Sequence, residues 1–466
     1  MTIRAVAAVD LGATSGRVMI GRIGEGRLDL ELVSRFPNGP VEREDGLHWD
    51  FTALYEHVLD GLSEAVRREP GIESIGVDSW AVDYGLLKDG GLLAEPFHYR
   101  DERTTRGVDE VHAIIPFAEL YRRNGLQFLP FNTLYQYRVD ERLDHADTAL
   151  LIPDLIAFLL TGSAVAERTN ASTTGLLGVT DGDWDTRLAD RLGIPSRILP
   201  PLVDPGTTIG ILRPELVARV GKILPVIAVG SHDTASAVVA APLSTPHSAY
   251  ISCGTWGLVG VELTEPVLSD AAREANFTHE LGVDGRYRFL HNVTGLWLLS
   301  ETVRAWESDD GESIDLPALL SAASEVTGEV PIFDADDPTL SAPGNMPSRI
   351  AALVGGTAPT ARPAFARTIV ESIAAAFARA VQTAADLSGR ELDSIHLVGG
   401  GSLNRLLCQA TADRTGLPVL AGPVEATALG NVLVQARALG AAPSTLEGLR
   451  TLVAEMHAPT RFDPRG

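Results

Sequence analysis

Cysteine is nearly missing from this chain. Cys253 and Cys408 are the two thiols in 466 residues, too few for a disulfide framework and too far apart for a zinc site. His112 and His145 fit no metal-ligand spacing either. No uninterrupted apolar run approaches the roughly 20 residues that a membrane-spanning helix needs. Basic residues are outnumbered, 38 Lys and Arg against 61 Asp and Glu, for a formal net charge of −23. That balance excludes nucleic acid as a general partner, since a phosphate backbone needs a basic footprint. It leaves room for a single nucleotide held by one local loop. A Walker-type G-x-x-x-x-G-K-[ST] loop occurs nowhere. The opening MTIRAVAAVDLG reaches Asp10 early and lacks the profile of an export signal. The expectation is therefore a cytoplasmic protein with both thiols reduced.

What is present is an ordinary globular composition, 45% hydrophobic and 21% charged, long enough for two or three domains. Strand and helix signals alternate throughout, the pattern of an α/β protein. Arg4 to Val9 reads as a strand, Asp10 to Gly16 as a turn-rich tip and Val18 to Gly21 as a returning strand. Ile72 to Val77 and Val226 to Val229 are further buried strands, delivering Asp78-Ser-Trp-Ala-Val-Asp83 and Ser231-His-Asp-Thr234 at their ends. In open α/β sheets ligands gather beyond the carboxyl ends of strands, so chemistry is expected at these tips. The stretch 241–246 carries two prolines and reads as a linker. Immediately beyond it, a second hairpin from Ala249 to Val261 repeats the first. The expected division is therefore into residues 1–243 and 244–466. Helices are expected around Ile369 to Val381, closing at Gly389, from Asn404 to Gly416, and after Glu425. Residues 309–363 read as mostly loop.

Several clusters can carry chemistry, each with a plainer structural reading beside it. Asp10-Leu-Gly-Ala-Thr-Ser-Gly-Arg17 offers backbone amides and hydroxyls to an anion, or is an ordinary hairpin turn. Its leading carboxylate can hold Mg²⁺ through water. Ser252-Cys-Gly-Thr255 is a second phosphate-sized cradle or a second turn. Gly399-Gly-Gly-Ser-Leu-Asn404 follows a strand and opens a helix, which suits a phosphorylated ligand or a flexible joint. Asp233 is a candidate base for a hydroxyl nucleophile, or a helix N-cap. The tryptophans Trp49, Trp80 and Trp297 either wall a sugar pocket or are core.

The order of these clusters is more specific than any one of them. DLGATSGR, HDTASA, SCGTW and VGGGSLN, together with Gly46-Leu-His-Trp-Asp50, Asp78 to Asp83 and Gly295-Leu-Trp-Leu-Leu299, resemble the FGGY family of carbohydrate kinases nearly end to end. Within it the likeness is strongest to the rhamnulokinase group. The resemblance implies two RNase H-like domains of the actin/hexokinase-like ATPase fold with a catalytic cleft between them. The N-terminal one would carry the sugar site, phosphate loop and base, and the C-terminal one the nucleotide site. It implies that Ala13, Thr14, Ser15, Gly16, Arg17 and Thr255 contact ATP phosphates. Gly400 and Gly401 lie at the adenosine, with Ser300 a further nucleotide contact. Asp233 is the general base, and Ala81, His232, Thr234 and Asn292 join it at the sugar. Asp10 is the Mg²⁺-associated carboxylate. ATP, Mg²⁺ and a ketose, L-rhamnulose, are the implied ligands of a monomer or small homo-oligomer.

Three positions depart from the family pattern. Ala81 stands where glycine is frequent, Thr294 replaces a methionine, and Ser300 replaces a glutamine. A kinase for another ketose, of the L-fuculose or xylulose type, is the alternative. An actin-like nucleotide-binding scaffold without kinase activity is another, and would dispense with Asp233. Cys253, inside the second cradle, is expected to be reactive and shielded by bound nucleotide.

Overall fold

The computed structural model describes residues 3–465 apart from Glu25 and Ser244. Ser244 falls inside the expected linker, so that part of the reading lies outside the described residues. The chain divides into two compact units, each assembled from separated segments. One comprises Met1–Ala240, Leu263–Phe289 and Ala426–Met456; the other comprises Ala241–Glu262, Leu290–Glu425 and His457–Gly466.

In the first unit a six-stranded sheet runs Thr208–Ile211, Pro225–Ile227, Ile72–Ser79, Arg4–Leu11, Ser15–Gly24, Arg27–Pro37. The three N-terminal strands form an antiparallel meander, and Ile72–Ser79 joins Arg4–Leu11 in parallel. That parallel step needs a crossover, supplied by the helix Phe51–Arg68. Asp50 caps it by accepting from the Ala53 amide at 3.2 Å. Its inward stripe of Phe51, Leu54, Val58, Leu59, Leu62, Ala65 and Val66 is buried.

Arg4–Leu11 is buried over nearly its whole length because both faces of the sheet are covered. Val18 packs at Gly61 of the crossover helix, and Gly21 packs at Val432 of the helix Ala426–Ala438. These two positions are three residues apart on one strand, so they point to opposite faces. Ala426–Ala438 also lies against the helix Asp233–Ala240. A Cβ on Gly430 would sit 1.8 Å from the Ser236 carbonyl oxygen, so only glycine permits this approach.

The strand expected at Val226 to Val229 is shorter, Pro225–Ile227. Ala228 leaves the ladder to exchange bonds with Thr207 and Gly206. The following turn is still tied to the sheet, since the Ser79 amide donates to the Ser231 carbonyl at 2.9 Å.

In the second unit the hairpin Ser248–Cys253 and Trp256–Leu263 pairs antiparallel, and Ser248–Cys253 joins Ser394–Val398 in parallel. This is the arrangement of the first hairpin with Ile72–Ser79. Beyond them lie Val419–Ala421 and Thr460–Phe462. The helix Arg362–Ser388 ends at Gly389 in the left-handed region (φ 66°), and Arg405–Thr415 starts at the Asn404 cap and ends at Gly416. Residues 309–363 hold more structure than the sequence reading allowed. Leu316–Ser324 and Met346–Leu353 are helices, each with proline in its first turn. Proline reads as a breaker in a short segment, whereas at a helix start its missing N–H costs nothing.

Replacing Gly430 with alanine should force the two helices of the first unit apart. A loss of about 1–3 kcal/mol is expected from such overpacking, read as a fall in thermal midpoint. Gly400→Ala, where nothing lies within 4 Å of the added methyl, should leave the midpoint unchanged.

Candidate active site

The strand ends of the first unit bring three carboxylates near one another. Asp10 is opposite Arg17 in the antiparallel register and opposite Asp78 in the parallel one. Arg17 Nη2 meets Asp10 Oδ2 at 2.8 Å, and Asp10 is only 2% exposed. Asp78 is fully buried, accepts from Asn431 Nδ2 at 2.6 Å through one oxygen, and has no partner on the other. Burial first, then the charge of Asp10 and more weakly that of Asp233, push its carboxyl well above the ordinary range.

The tip between the first two strands is braced from outside. Asn38 donates through its side chain to the Gly12 carbonyl at 2.9 Å and through its amide to the Thr14 carbonyl at 3.1 Å. Among the described residues the amides of Ala13 and Thr14 donate to no protein acceptor. Two neighbouring free N–H groups on a rigid turn form a cradle for an anion. Gly16 serves packing, since a Cβ there would fall 2.1 Å from the Phe36 ring.

Asp233 opens the helix Asp233–Ala240, the position where an N-cap was the plainer reading. Its carboxylate bonds no backbone amide. Oδ1 instead accepts from Thr234 Oγ1 at 3.1 Å and lies 3.4 Å from His232 Nε2, and the side chain is 32% exposed. The turn before it is clamped by Glu167, which sequence reasoning missed. Glu167 Oε2 accepts from the Ser231 amide at 2.9 Å and from Ser231 Oγ at 2.8 Å, and its carboxylate also caps Thr169.

Ala81 belongs to a turn held in strain. Val82 adopts φ 68°, unfavourable for a β-branched residue, and Thr133 Oγ1 donates to its carbonyl at 2.7 Å. Asp83 anchors the same turn. It accepts from the indole nitrogens of Trp49 and Trp80 at 2.7 and 3.1 Å, from the Tyr99 amide at 3.2 Å, and from Gln136 Nε2 at 2.9 Å. Trp49 and Trp80 are thus buried core around a carboxylate, and the reading of them as walls of a pocket is corrected.

In the second unit the tip Cys253 to Trp256 lies on the turn Gly295 to Trp297. The amides of Leu296 and Trp297 donate to the carbonyls of Gly254 and Thr255, at 3.0 and 3.1 Å. Ser300 is exposed, one turn into the helix Trp297–Asp310 that starts there. Asn292 is half-buried on the strand Tyr287–Thr294, where Asp336 accepts from the Thr294 amide at 2.9 Å. Gly399 sits at φ 83°, Gly400 is open on its surface, and Gly401 is packed on Cys253. A Cβ on Gly401 would fall 2.4 Å from Cys253 Sγ. The two cradles of this unit are therefore adjacent, with the thiol as filler between them.

That placement overturns the expectation of a reactive Cys253. Both thiols are buried, and burial pushes Cys253 far up and Cys408 up to about 12. Loop amides cannot lower the pKa of a sulfur that faces packed backbone.

The chain matches the FGGY family of carbohydrate kinases over residues 5–240 for its N-terminal domain and 249–439 for its C-terminal domain. The chain belongs to this family. Among curated relatives, "Rhamnulokinase" of Bacteroides thetaiotaomicron is 39% identical over 98% of this chain and 95% of its own length. "Rhamnulokinase" of Klebsiella pneumoniae is 40% identical over 100% and 95%. Among solved structures, gluconate kinase from Lactobacillus acidophilus superposes with a TM-score of 0.81 at 19% identity, covering 100% of this chain and 94% of that one. Plasmodium falciparum glycerol kinase with ADP gives 0.79 at 16%, covering 99% and 94%.

The protein is accordingly an ATP-dependent carbohydrate kinase of the actin/hexokinase-like ATPase fold. Among the described residues no helix is long and apolar enough to cross a membrane. Nor do any three His, Cys, Asp or Glu side chains converge to hold a metal ion by themselves. The residues nevertheless fit a cation that arrives with its own ligands. Three carboxylates crowd together, and one buried oxygen of Asp78 lacks a donor. A Mg²⁺ bound mostly by water and phosphate oxygens needs little more from the protein.

Two outcomes follow. In the native enzyme neither thiol should react with an aromatic disulfide reagent, whereas both should titrate in denaturant. Rapid native labelling of Cys253 would contradict its packing against Gly401. The second concerns Asp83, whose carboxyl is raised to about 6 chiefly by burial. Its folded form binds the proton more tightly than its unfolded form, so its contribution to stability is full below about pH 4 and is lost as pH rises through about 6. Relative to Asp83→Asn, the native protein should lose on the order of 2 kcal/mol across that window, read as the pH dependence of the difference in thermal midpoints.

Proposed function

We propose that this kinase phosphorylates L-rhamnulose, giving L-rhamnulose 1-phosphate and ADP. The observation that carries the substrate is full-length identity of 39–40% to relatives named rhamnulokinase. The structural neighbours named for gluconate or glycerol are 16–19% identical and support the fold alone. As support from the site, the Ala81 turn is fixed by Asp83, Thr133 and Gln136, which suits a shaped wall for one sugar.

In this reading the 1-hydroxyl oxygen attacks the γ-phosphorus, the bond from that phosphorus to the β,γ-bridging oxygen breaks, and Asp233 takes the hydroxyl proton. Asp233 is the carboxylate of the three that combines solvent access with an oxygen not engaged by a donor. The amides of Ala13 and Thr14, with Ser15, Gly16, Arg17 and Thr255, bind phosphate oxygens, while Gly400, Gly401 and Ser300 serve the nucleoside. His232, Thr234, Asn292 and Ala81 contact the sugar. Asp10 would hold Mg²⁺ through water, and the ion would supply charge neutralisation at the phosphates. Positioning and electrostatics account for most of the catalysis in such transfers.

A panel of L-rhamnulose, L-fuculose and D-xylulose, read by ADP release with the phosphorylated carbon identified, tests the substrate. The highest kcat/KM is expected for L-rhamnulose at carbon 1; a clear preference for another ketose would refute the assignment. Asp233→Asn should lower kcat by about 10² to 10⁴ with sugar affinity little changed, and near-normal turnover would remove Asp233 as base. Thr255→Val should raise the KM for ATP more than that for sugar.

A further inference from the structure

Behind His232 lies a pair of buried charges. Arg288 is completely shielded from water and Glu280 is 6% exposed. Arg288 Nη1 lies 3.1 Å from Glu280 Oε2, and its Nε and Nη2 each donate to the Leu281 carbonyl at 3.2 Å. Nη2 also reaches His232 Nδ1 at 3.0 Å. Glu280 Oε2 stands 3.2 Å from the same ring nitrogen. Across the ring, His232 Nε2 faces Asp233 Oδ1.

The two contacts at Nδ1 make opposite demands. A guanidinium only donates, so Arg288 requires a lone pair there, whereas a bond to the Glu280 carboxylate requires a proton. The Arg288 contact is the shorter and has hydrogen-bond geometry, while Glu280 Oε2 receives no well-formed hydrogen bond. The lone pair therefore faces Arg288, and the ring proton sits on Nε2, towards Asp233. Glu280 then serves to neutralise Arg288, which would be costly to bury alone. Burial acts to raise the Glu280 carboxyl, but the charge of Arg288 outweighs it and holds the carboxyl below its ordinary value.

We propose that Arg288 and Glu280 are positioning residues that fix His232 as its Nε2–H tautomer. The ring then turns its N–H towards Oδ1 of Asp233, 3.4 Å away, and leaves Oδ2 for the sugar proton. Thr234 Oγ1 donates to the same Oδ1 at 3.1 Å, so one hydrogen bond and one polar contact on the same oxygen orient the carboxylate. This rests on the reading of Asp233 as the base. Neither Glu280 nor Arg288 needs to touch a ligand.

Two measurements test it. Nitrogen NMR of the ¹⁵N-histidine-labelled enzyme, with His232 assigned by its loss in His232→Gln, reads the tautomer without substrate. A protonated Nε2 with a bare Nδ1 is expected; a proton on Nδ1, alone or with one on Nε2, overturns the proposal. In kinetics, Arg288→Lys keeps the charge but loses the planar fork. It should lower kcat by at least about tenfold while the KM for ATP stays within about twofold. If that variant does not fold, the double change Glu280→Gln and Arg288→Met removes both charges and the donor to Nδ1, with the same expectation. Undiminished kcat in either folded variant overturns the proposal. Retained turnover in Asp233→Asn sinks the base assignment, whereas an inactive Asp233→Asn with a proton on Nδ1 sinks the positioning role alone.

Discussion

Asp10 and Asp78 face one another across adjacent parallel strands, both withdrawn from water, and much of the first unit is arranged to tolerate that pair. A buried carboxyl group is tolerated only where a fixed donor, a cation or a bound proton answers it. Arg17 answers Asp10 from the neighbouring strand. Asn431 answers Asp78 from a helix more than 350 residues further along the chain. The same helix places Gln435 in the sheet, bonding the Ala7 carbonyl at 3.0 Å and Ser74 at 2.7 Å. A helix that brings amides as well as Val432 to a sheet must be held close and in register. Gly21 permits that approach, and Gly430 lets the same helix lie against Asp233–Ala240. The packing of this helix and the electrostatics of the strand ends are thus one constraint.

The second unit meets its phosphate-sized turns differently. At Gly399 and Gly401 the close buried neighbour is Cys253, a neutral thiol. Cys253 fits between two glycine-bearing turns, and any side chain at position 401 would displace it. Neutrality suits the nucleotide contact proposed for this surface, because a carboxylate there would repel it. Asn404, three residues beyond Gly401, caps the following helix through its side-chain oxygen. The loop is consequently fixed at both ends, with Gly400 left open to solvent.

Local signals were legible from the sequence, and distant pairings were not. Hairpin tips, the Asn404 cap and the stops at Gly389 and Gly416 were readable because each depends on a few contiguous residues. Glu167, Glu280, Arg288 and Asn431 carried no local signature. Each looks like an ordinary polar residue in its own stretch and acquires a role only when the fold delivers a partner dozens or hundreds of residues away. Trp49 and Trp80 stayed open between core and pocket wall for a related reason, since an aromatic beside a strand-end motif gives no sign of whether a carboxylate such as Asp83 will be buried against it. Cys253 misled because loop position was taken for accessibility, while the packing that buries it comes from residues 399–401.

Three acids stand near the expected phosphate loop, and physical differences among them decide which can act as a base. Asp78 has no access to solvent, and its proton is held tightly by burial and by neighbouring negative charge, so it cannot pass protons in and out during turnover. Asp10 is withdrawn from water and committed to Arg17 at 2.8 Å, so it lacks the access a base needs. Asp233 stands at the start of a helix, yet it caps no amide and remains a third exposed. Its neighbours Thr234 and His232 contact a single oxygen. A base needs reach, a free lone pair and a fixed direction. In the proposed mechanism the helix supplies the direction, Thr234 holds one oxygen with His232 beside it, and the other oxygen is left for the substrate. That division of labour within one carboxylate explains why the His-Asp-Thr order matters as a unit, with Glu167 clamping the residue just before it.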